Sequence, residues 1–396
     1  MTESLYIHIP FCSRKCDYCD FFSVPDADPS LIDAVLSETI RELDSFIEEG
    51  LARGFKTVYV GGGTPGIVKP DKLAWFLHAV SERLDTVPLE WSLETNPETV
   101  TGELLSVLSE SGIRRLSVGI QSMNATLLRI LGRNGTAKGN SDALEMIKQH
   151  WKHDLSLDLI HGIPYQTVDE ALSDIDTVVG FRPDHLSLYT LSIEEETPLG
   201  NAIASGMLNA PNAETVEEMF FRCREKLATY GYDDYEVSNF SGEGKECIHN
   251  VSYWEMRPYL GIGPGAVSTV FRHGRIERLS HGSLSEFLSG RNGNWGLRTE
   301  VIDPRSFLFE HIMMGLRLKR GLSIKNLFGV FGFDILDECR ELIESWRSRG
   351  LTIDSDRLYF KGEGRFILNA FLREFLASIE GKTVFLKEWP FLEDPH

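Results

Sequence analysis

The chain has 396 residues and a formal net charge of -19. A charge of this sign repels the phosphate backbone of nucleic acids, and no cluster of lysine and arginine is large enough to offset it, so no nucleic-acid partner is expected. Hydrophobic residues make up 42% and charged residues 25% of the chain, which predicts a folded globular protein. The length predicts one large domain with one or two smaller ones.

The first residues lack the features of an export signal: a basic start, a long apolar stretch and a small-residue cleavage site. No apolar run approaches the ~18 residues of a transmembrane helix. We therefore expect a cytoplasmic location, with any membrane contact peripheral. Six cysteines are present, three of them within residues 12–19. In a reducing compartment this packing indicates metal binding and not disulfides.

Short β-rich runs alternate with amphipathic stretches in the first half of the chain. Strands are predicted at residues 5–9, 57–60, 90–94, 115–119, 155–159 and 185–191. Helices are predicted between and after them at residues 30–50, 70–84, 101–112, 125–132, 140–150 and 168–179. This alternation predicts a parallel sheet with right-handed crossovers. Six such units favour a partial barrel over a closed barrel of eight strands.

Polar and glycine-rich turns follow the predicted strands at their carboxyl ends. In chain order they are the cysteine loop and residues 61–65, 94–97, 119–122, 160–164 and 190–192. Because the carboxyl ends of the strands in a β/α barrel converge at one rim, we expect the active site at that rim.

The alternation ends near residue 205, and residues 291–295 are predicted to form a linker. Beyond residue 304, helical periodicity returns, with a hairpin at 352–360 and a last helix at 365–379. This pattern is typical of a helix-turn-helix with a wing, and the acidic charge favours a packing module over a DNA reader. The predicted division is a core barrel at residues 1–205, a connecting segment at 206–300 and a C-terminal domain at 301–396.

The spacing of Cys12, Cys16 and Cys19 places three thiols on one loop of eight residues. Such a loop can wrap a cube of iron and sulfide, leaving the fourth iron without a cysteine from the loop. The alternative is a zinc site completed by a histidine or a remote cysteine, but the two matched C-x2-C pairs typical of such sites are absent. The loop therefore predicts a [4Fe-4S] cluster.

This cysteine spacing, with the aromatic Tyr18 just before the third cysteine, resembles the signature of the radical S-adenosylmethionine (SAM) superfamily. More narrowly, residues 6–12 (Tyr-Ile-His-Ile-Pro-Phe-Cys) and 61–65 (Gly-Gly-Gly-Thr-Pro) resemble the oxygen-independent coproporphyrinogen III oxidase-like group. The resemblance implies an α/β fold, with a partial (β/α)6 radical SAM barrel and a smaller C-terminal α+β domain of winged-helix type. It also implies SAM as a second cofactor, bound to the fourth iron.

The same resemblance implies which residues contact SAM or frame its site. They are Tyr6, Tyr18, Gly62, Gly63, Thr64, Glu94, Gln121, Arg133 and Asp158. Glycines let the backbone approach a ligand, and bare amides can bond the methionyl end of SAM. From the residues alone, Glu94 could equally be a carboxylate at a helix N-terminus, Arg133 a surface arginine and Asp158 a turn cap.

Residues 249–254, His-Asn-Val-Ser-Tyr-Trp, resemble the HNxxYW motif of HemW-type heme chaperones. An imidazole such as that of His249 can ligate heme iron, while Tyr253 and Trp254 offer flat faces to a porphyrin. Without the resemblance, a structural histidine among core aromatics would be the more common arrangement. The resemblance implies that heme contacts His249, with Cys247 as an additional or alternative iron ligand.

Several departures separate this chain from the oxidase that it resembles. The oxidase has a further cysteine two residues after the third cluster cysteine, where this chain has Phe21, and a long segment ahead of its first strand. Two histidines common in the family are replaced by Gly135 and Val267, so those positions cannot ligate heme. The Phe21 and N-terminal departures speak against the decarboxylase function, whereas the two missing histidines leave His249 as the main candidate for heme ligation.

The sequence therefore favours a heme chaperone that binds a [4Fe-4S] cluster, SAM and heme and delivers heme to acceptor proteins. One alternative is an enzyme that oxidatively decarboxylates coproporphyrinogen III. Another is a methyltransferase or heme-degrading enzyme that uses two SAM molecules. The expected partners are heme, heme-acceptor proteins and, if SAM is cleaved, an electron donor. A cluster-dependent homodimer would fit the family.

Overall fold

The structure is a computed structural model that describes residues 2–290 and 293–386. Residues 291 and 292 of the predicted linker and residues 387–396 of the predicted C-terminal domain lie outside the described part of the chain. Within the described residues, no helix combines the length and the apolar character needed to cross a membrane.

The strands are β1 (Ser4–Ile9), β2 (Phe11–Cys12), β3 (Val24–Pro25), β4 (Thr57–Gly62), β5 (Glu90–Thr95), β6 (Arg115–Gln121), β7 (Asp154–His161), β8 (His185–Thr190), β9 (Asp233–Asp234), β10 (Asn239–Ser241), β11 (Tyr259–Ile262), β12 (Val267–Arg272), β13 (Arg275–Ser280), β14 (Arg298–Ile302), β15 (Leu322–Ser323), β16 (Leu351–Asp354) and β17 (Arg357–Phe360).

The helices are α1 (Pro29–Glu48), α2 (Pro70–Ser81), α3 (Gly102–Glu110), α4 (Ala125–Ile130), α5 (Ala137–His150), α6 (Val168–Val179), α7 (Pro198–Ala204), α8 (Ala213–Thr229), α9 (Ile248–Trp254), α10 (Leu284–Leu288), α11 (Pro304–Gly315), α12 (Ile324–Phe331), α13 (Ile335–Glu338), α14 (Arg340–Trp346) and α15 (Leu368–Ser378).

The six predicted strands of the barrel are confirmed as β1 and β4 to β8. They lie side by side in chain order, and each neighbouring pair is parallel. The helices α1 to α6 alternate with these strands along the chain, as the sequence predicted. The observed fold is therefore the expected α/β partial barrel.

The sheet is larger than the sequence predicted. Within the described residues it has twelve strands, because β11 to β14 extend it beyond β1, and β10 and β9 extend it beyond β8. β11 pairs in parallel with β1, with Tyr259 opposite Ser4. These added strands are two to six residues long. Such short strands, separated by helices of only five to seven residues or by none, leave only a weak periodic pattern.

Side chains alternate between two environments along the parallel strands. Leu5 and Ile7 are fully buried in the main core, which the helices cover from outside the barrel. The intervening side chains point into the barrel, where Tyr59 on β4 donates a hydrogen bond to Glu94 on β5 at 2.7 Å. The apolar core therefore lies between sheet and helices, and the barrel interior is polar.

A second core belongs to the C-terminal part of the chain. It contains side chains of α11 to α15 and of a small antiparallel sheet formed by β15, β17 and β16, and includes Trp346 and Phe371. The hairpin of β16 and β17 and the helix α15 confirm the expected winged-helix form. Ile276 and Ile302, from the edge of the large sheet, also join this core.

A buried ion pair joins α1 to the added strands. His281, just after β13, and Glu42 on α1 have side chains that are 1% and 0% exposed, with Nε2 and Oε1 2.5 Å apart. The other carboxylate oxygen of Glu42 accepts a hydrogen bond from the Gly263 amide at 2.8 Å. Burial opposes the imidazolium, but the hydrogen bond and charge of Glu42 leave the pKa of His281 above its ordinary value.

This pair predicts a pH-dependent stability. Its contribution is complete below the unfolded-state pKa of about 6.5 and is lost as the pH rises through the raised pKa of folded His281. We expect the free energy of unfolding, measured in urea between about pH 6 and pH 9, to fall more steeply for the wild type than for His281→Gln. His78→Gln on α2, where the side chain is 74% exposed, is the control. Equal slopes for wild type and His281→Gln would contradict a charged His281.

Candidate functional site

The cysteine loop connects β2 to β3 at the carboxyl end of the barrel. The amide of Asp17 donates to the carbonyl of Leu131 at 3.0 Å, which pins the loop to the end of α4. Cys12, Cys16 and Cys19 are half-buried free thiols that line one cavity of about 460 Å³, here called the rim cavity. Its wall also contains the predicted residues Tyr18, Gly62, Gly63, Thr64, Glu94, Gln121, Arg133 and Asp158. The structure therefore brings together eleven of the thirteen predicted site residues.

Across residues 2–290 and 293–386, no three His, Cys, Asp or Glu side chains are arranged to hold one metal ion. A zinc site requires ligands around one ion, whereas an iron–sulfur cluster offers a separate iron to each thiolate. The cluster at the three thiols stays a prediction.

The glycine turn after β4 packs directly against the cysteine loop. A Cβ atom on Gly63 would lie 2.5 Å from the carbonyl oxygen of Phe11 and 2.9 Å from Sγ of Cys12. Gly62 has a φ of 114°, which favours glycine. The hydroxyl of Thr64 lies 3.8 Å from Sγ of Cys12. The turn therefore presents bare backbone to whatever occupies the space beside the thiols.

Gln121 and Arg133 supply polar groups to the same wall. Gln121 lies at an irregularity in the pairing of β6 with β7 and adopts a φ of 64°, which is unusual for a residue with a side chain. Its Oε1 atom is buried and has no hydrogen-bond partner within the described part of the chain. Arg133 is 5% exposed and donates to the Gly119 carbonyl at 2.8 Å and to Sγ of Cys16 at 3.7 Å. The alternative interpretation of Arg133 as a surface arginine is therefore wrong.

The rim cavity thus combines an acceptor without a partner, Oε1 of Gln121, with a close-packed glycine turn and three thiols. This combination fits SAM, which carries amino and ribose hydroxyl donors next to a sulfonium. A buried polar atom without a partner is costly, so Gln121 calls for a ligand with a donor group. The residues of the rim cavity therefore fit the cluster and SAM that the resemblance implies.

Two buried carboxyl groups lie below this wall. Glu94 accepts hydrogen bonds from Tyr59 and from the Gly62 amide, at 2.7 and 3.3 Å. Burial, together with the nearby charge of Asp158, raises the pKa of Glu94 to about 7. Burial also raises the pKa of Asp158, which accepts from Ser117 at 3.1 Å, to about 6. Both face the barrel interior, so neither caps a helix.

Two predicted residues lie outside the rim cavity, and Tyr6 is the nearer of them. Its hydroxyl lies 3.0 Å from Nδ1 of His8, inside the barrel, and its ring stacks on that of Tyr59 at 6.3 Å between centroids. Among the described residues, Tyr6 is therefore not part of the wall of the rim cavity.

His249 lies at the opposite end of the barrel from the cysteine loop. Its Nδ1 is 2.8 Å from the hydroxyl of Thr57, the first residue of β4, and its Nε2 is 2.9 Å from the hydroxyl of Tyr253. The residue is 1% exposed, and burial lowers its pKa to about 3. Both ring nitrogens are engaged, so an iron could reach His249 only after one hydrogen bond breaks. Cys247 is also buried, and its thiol donates to Glu90 at 3.3 Å.

A second cavity, which sequence reasoning missed, adjoins the HNxxYW segment. This side cavity has a volume of about 680 Å³ and lies where the open edge of the barrel meets the C-terminal domain. Its lining comprises Tyr189, Glu236, Ser238, Asn239, Asn250, Tyr253, Trp254, Met256, Arg257, Tyr259, Thr269, Arg278, Glu310, Met313 and Met314. Tyr189 lines the rim cavity as well. Strand alternation could have revealed Tyr189, since it follows the inward-facing Ser187 by two residues.

Comparisons with known proteins agree with this geometry. The Radical SAM superfamily model matches residues 6–178. The heme chaperone HemW of Lactococcus lactis is 33% identical over 94% of this chain and 97% of its own length, and HemW of Escherichia coli is 31% identical over 95% and 98%. The chain belongs to the HemW family of radical SAM proteins. The C-terminal part of this HemW family member, residues 302–367, matches the HemN C-terminal domain.

A solved structure supports the fold of this HemW family member. The coproporphyrinogen III oxidase HemN of Escherichia coli, a radical SAM enzyme, superimposes with a TM-score of 0.77 over 96% of this chain and 91% of its own. The two sequences are 18% identical, so the match concerns the fold alone.

Removal of single thiols tests the cluster loop of this HemW family member. We expect Cys16→Ala, like Cys12→Ala and Cys19→Ala, to lose most of the ~4 irons per chain that a [4Fe-4S] cluster supplies after anaerobic reconstitution. Cys223→Ala, at a fully buried thiol on α8, should keep its iron and sulfide. Iron and acid-labile sulfide analysis measures both, and equal depletion in Cys223→Ala would contradict this assignment.

Proposed function

We propose that this protein is a heme chaperone, which binds a [4Fe-4S] cluster, SAM and heme and delivers heme to acceptor proteins. The observation that carries the proposal is the side cavity, because three of the four defining residues of the HNxxYW motif, Asn250, Tyr253 and Trp254, line a space of about 680 Å³. That volume falls within the ~300–1,000 Å³ typical of sites for small molecules. Relatives that match nearly the whole chain are named heme chaperones, which agrees with it.

In this proposal the rim cavity holds the resident cofactors. Cys12, Cys16 and Cys19 would hold the cluster, and the amides and hydroxyl of residues 62–64 would contact SAM. Gln121 accepts a hydrogen bond from SAM, and Arg133 balances the negative charge of the thiolates. Tyr18 covers the cluster, while Glu94, Asp158 and Tyr6 frame the floor. When bound, the cluster supplies one electron to SAM if SAM is cleaved.

His249 serves heme binding indirectly in this arrangement. Its Nε2 holds the hydroxyl of Tyr253 at 2.9 Å, and its ring stacks on Tyr59 at 5.1 Å between centroids. Tyr253 is thereby fixed in the wall of the side cavity. The contribution of His249 is positional, and we expect its loss to weaken heme binding through Tyr253.

The remaining features of the proposed function follow from the sequence. We propose a cytoplasmic location and acceptor proteins that take heme by direct transfer, with an electron donor as a further partner if SAM is cleaved. Homodimerisation and peripheral membrane contact stay predictions.

The proposed function is tested by anaerobic titration of heme into the cluster-loaded protein, followed by addition of an apoglobin as a surrogate acceptor. We expect a 1:1 heme complex, followed by movement of heme to the globin, both visible in absorption spectra. Incubation with coproporphyrinogen III, SAM and a reductant should yield no decarboxylated, methylated or ring-opened product. Turnover of coproporphyrinogen III without a stable heme complex would instead establish the oxidase, whose fold this chain shares.

A further inference from the structure

The chemistry of the side cavity restricts how it can hold heme iron. The protein ligands of heme iron are histidine, cysteinate, methionine and tyrosinate. Within the described part of the chain, no histidine or cysteine lines this cavity, whereas three methionines and three tyrosines do. The choice is therefore between a thioether and a phenolate.

Phenolate ligation is disfavoured here. Burial raises the pKa of Tyr253 and Tyr259, with contributions from nearby negative groups. Tyr189 is 42% exposed, and its hydroxyl is hydrogen-bonded to Ser187. Tyr253 is also engaged, because its hydroxyl lies 2.9 Å from Nε2 of His249. A neutral phenol is a poor ligand for iron, so the thioethers are the better candidates.

The three methionines differ in what else they touch. Met256 follows α9, and Met313 and Met314 lie at the end of α11, in the C-terminal domain. Met256 and Met313 pack against the C-terminal hydrophobic core, whereas among the described residues Met314 is not part of that core. Met314 is half-buried and lines the side cavity, so its thioether is the one not committed to packing.

The cavity wall also contains arginines, which can pair with the carboxylates of a ligand such as heme. Arg278 on β13 has a side chain that is 32% exposed and is 2.9 Å from Glu310, so it faces both the cavity and water. Arg257 is 11% exposed and bound to Glu3 and Glu255. Arg278 is the cation better placed to exchange its carboxylate partner for a propionate, with Glu310 as the competing group.

We propose that the side cavity is the seat of heme, with Met314 as the iron ligand and Arg278 facing a propionate. This inference rests on the proposed function, since it assigns the site at which the chaperone holds its cargo. It gives the C-terminal domain a direct part in binding through α11. A thioether is a soft ligand that raises the potential of heme iron, so ferrous heme is held more tightly than ferric heme.

Methyl NMR of the cluster-loaded, full-length protein labelled with ¹³C-methyl methionine tests this assignment. On addition of ferrous heme, we expect one methyl resonance to be displaced far more than the others, because the methyl group of a ligating methionine would be the one nearest the iron. Met314→Leu, a volume-conserving change, should lack that resonance and bind ferrous heme at least about tenfold more weakly. Met207→Leu, at a methionine that is 72% exposed and lines neither cavity, should keep both.

His249→Ala separates ligation from positioning. It should bind heme more weakly but retain the shifted methyl resonance and the wild-type iron spectrum. The assignment would be overturned if the shifted resonance survives in Met314→Leu. It would also be overturned if the iron spectrum is lost in His249→Ala and kept in Met314→Leu. If the wild type binds no heme at all, the proposed function itself fails. Iron content and thermal unfolding of each variant confirm that it is folded and cluster-loaded.

Discussion

The buried carboxylate of Glu90 determines how the barrel is closed at the end away from the cysteine loop. Glu90 begins β5 and pairs with Arg115, which begins β6, at 3.0 Å, with both side chains about 5% exposed. The same carboxylate accepts the amides of Ile248 and His249 at 3.0 Å each and the thiol of Cys247. A buried carboxylate is stable only when its remaining acceptor capacity is met, and the start of α9 meets it. Nη1 of Arg115 is buried and has no hydrogen-bond partner within the described part of the chain. The start of the HNxxYW segment is therefore anchored at the bottom of the barrel.

The hydrogen bonds between Glu90 and the start of α9 explain how one short motif contributes both to the barrel floor and to the side cavity. His249 and Tyr253 are four residues apart on α9, so they share a helix face and can bond to each other. The histidine points towards Thr57 and the barrel floor, while Tyr253 and the adjacent Trp254 reach the side cavity. The imidazole is neutral, because burial lowers its pKa to about 3, and a neutral ring can accept at one nitrogen and donate at the other. Within the motif, His249 therefore has a structural role, while Tyr253 and Trp254 line the side cavity.

Local pattern was sufficient to predict the barrel and its rim. The strands beginning near Leu5 and Thr57 alternate apolar and polar residues, and the cysteine spacing identifies the loop without knowledge of the fold. Pairing of Ser4 with Tyr259 was not predictable, since no local signal joins segments so distant in the chain. The motif likewise shows that His249 and Tyr253 share a helix face, but not which end of the barrel that helix closes. Met314 fits the helical pattern of a core residue, so its position in a cavity wall could not be predicted from the sequence.

The polar interior of the barrel lies between the two cavities. Tyr189 lines both, and a small enclosed space of about 30 Å³, lined among others by Glu94, Asp158 and Asn250, lies between them. With pKa values of about 7 and 6, Glu94 and Asp158 change charge near neutral pH. A cationic ligand in the rim cavity would lower both values and so alter the charge beneath the side cavity. Coupling free energies are reciprocal. If such a ligand changes the affinity for heme by some factor, bound heme must change the affinity for that ligand by the same factor.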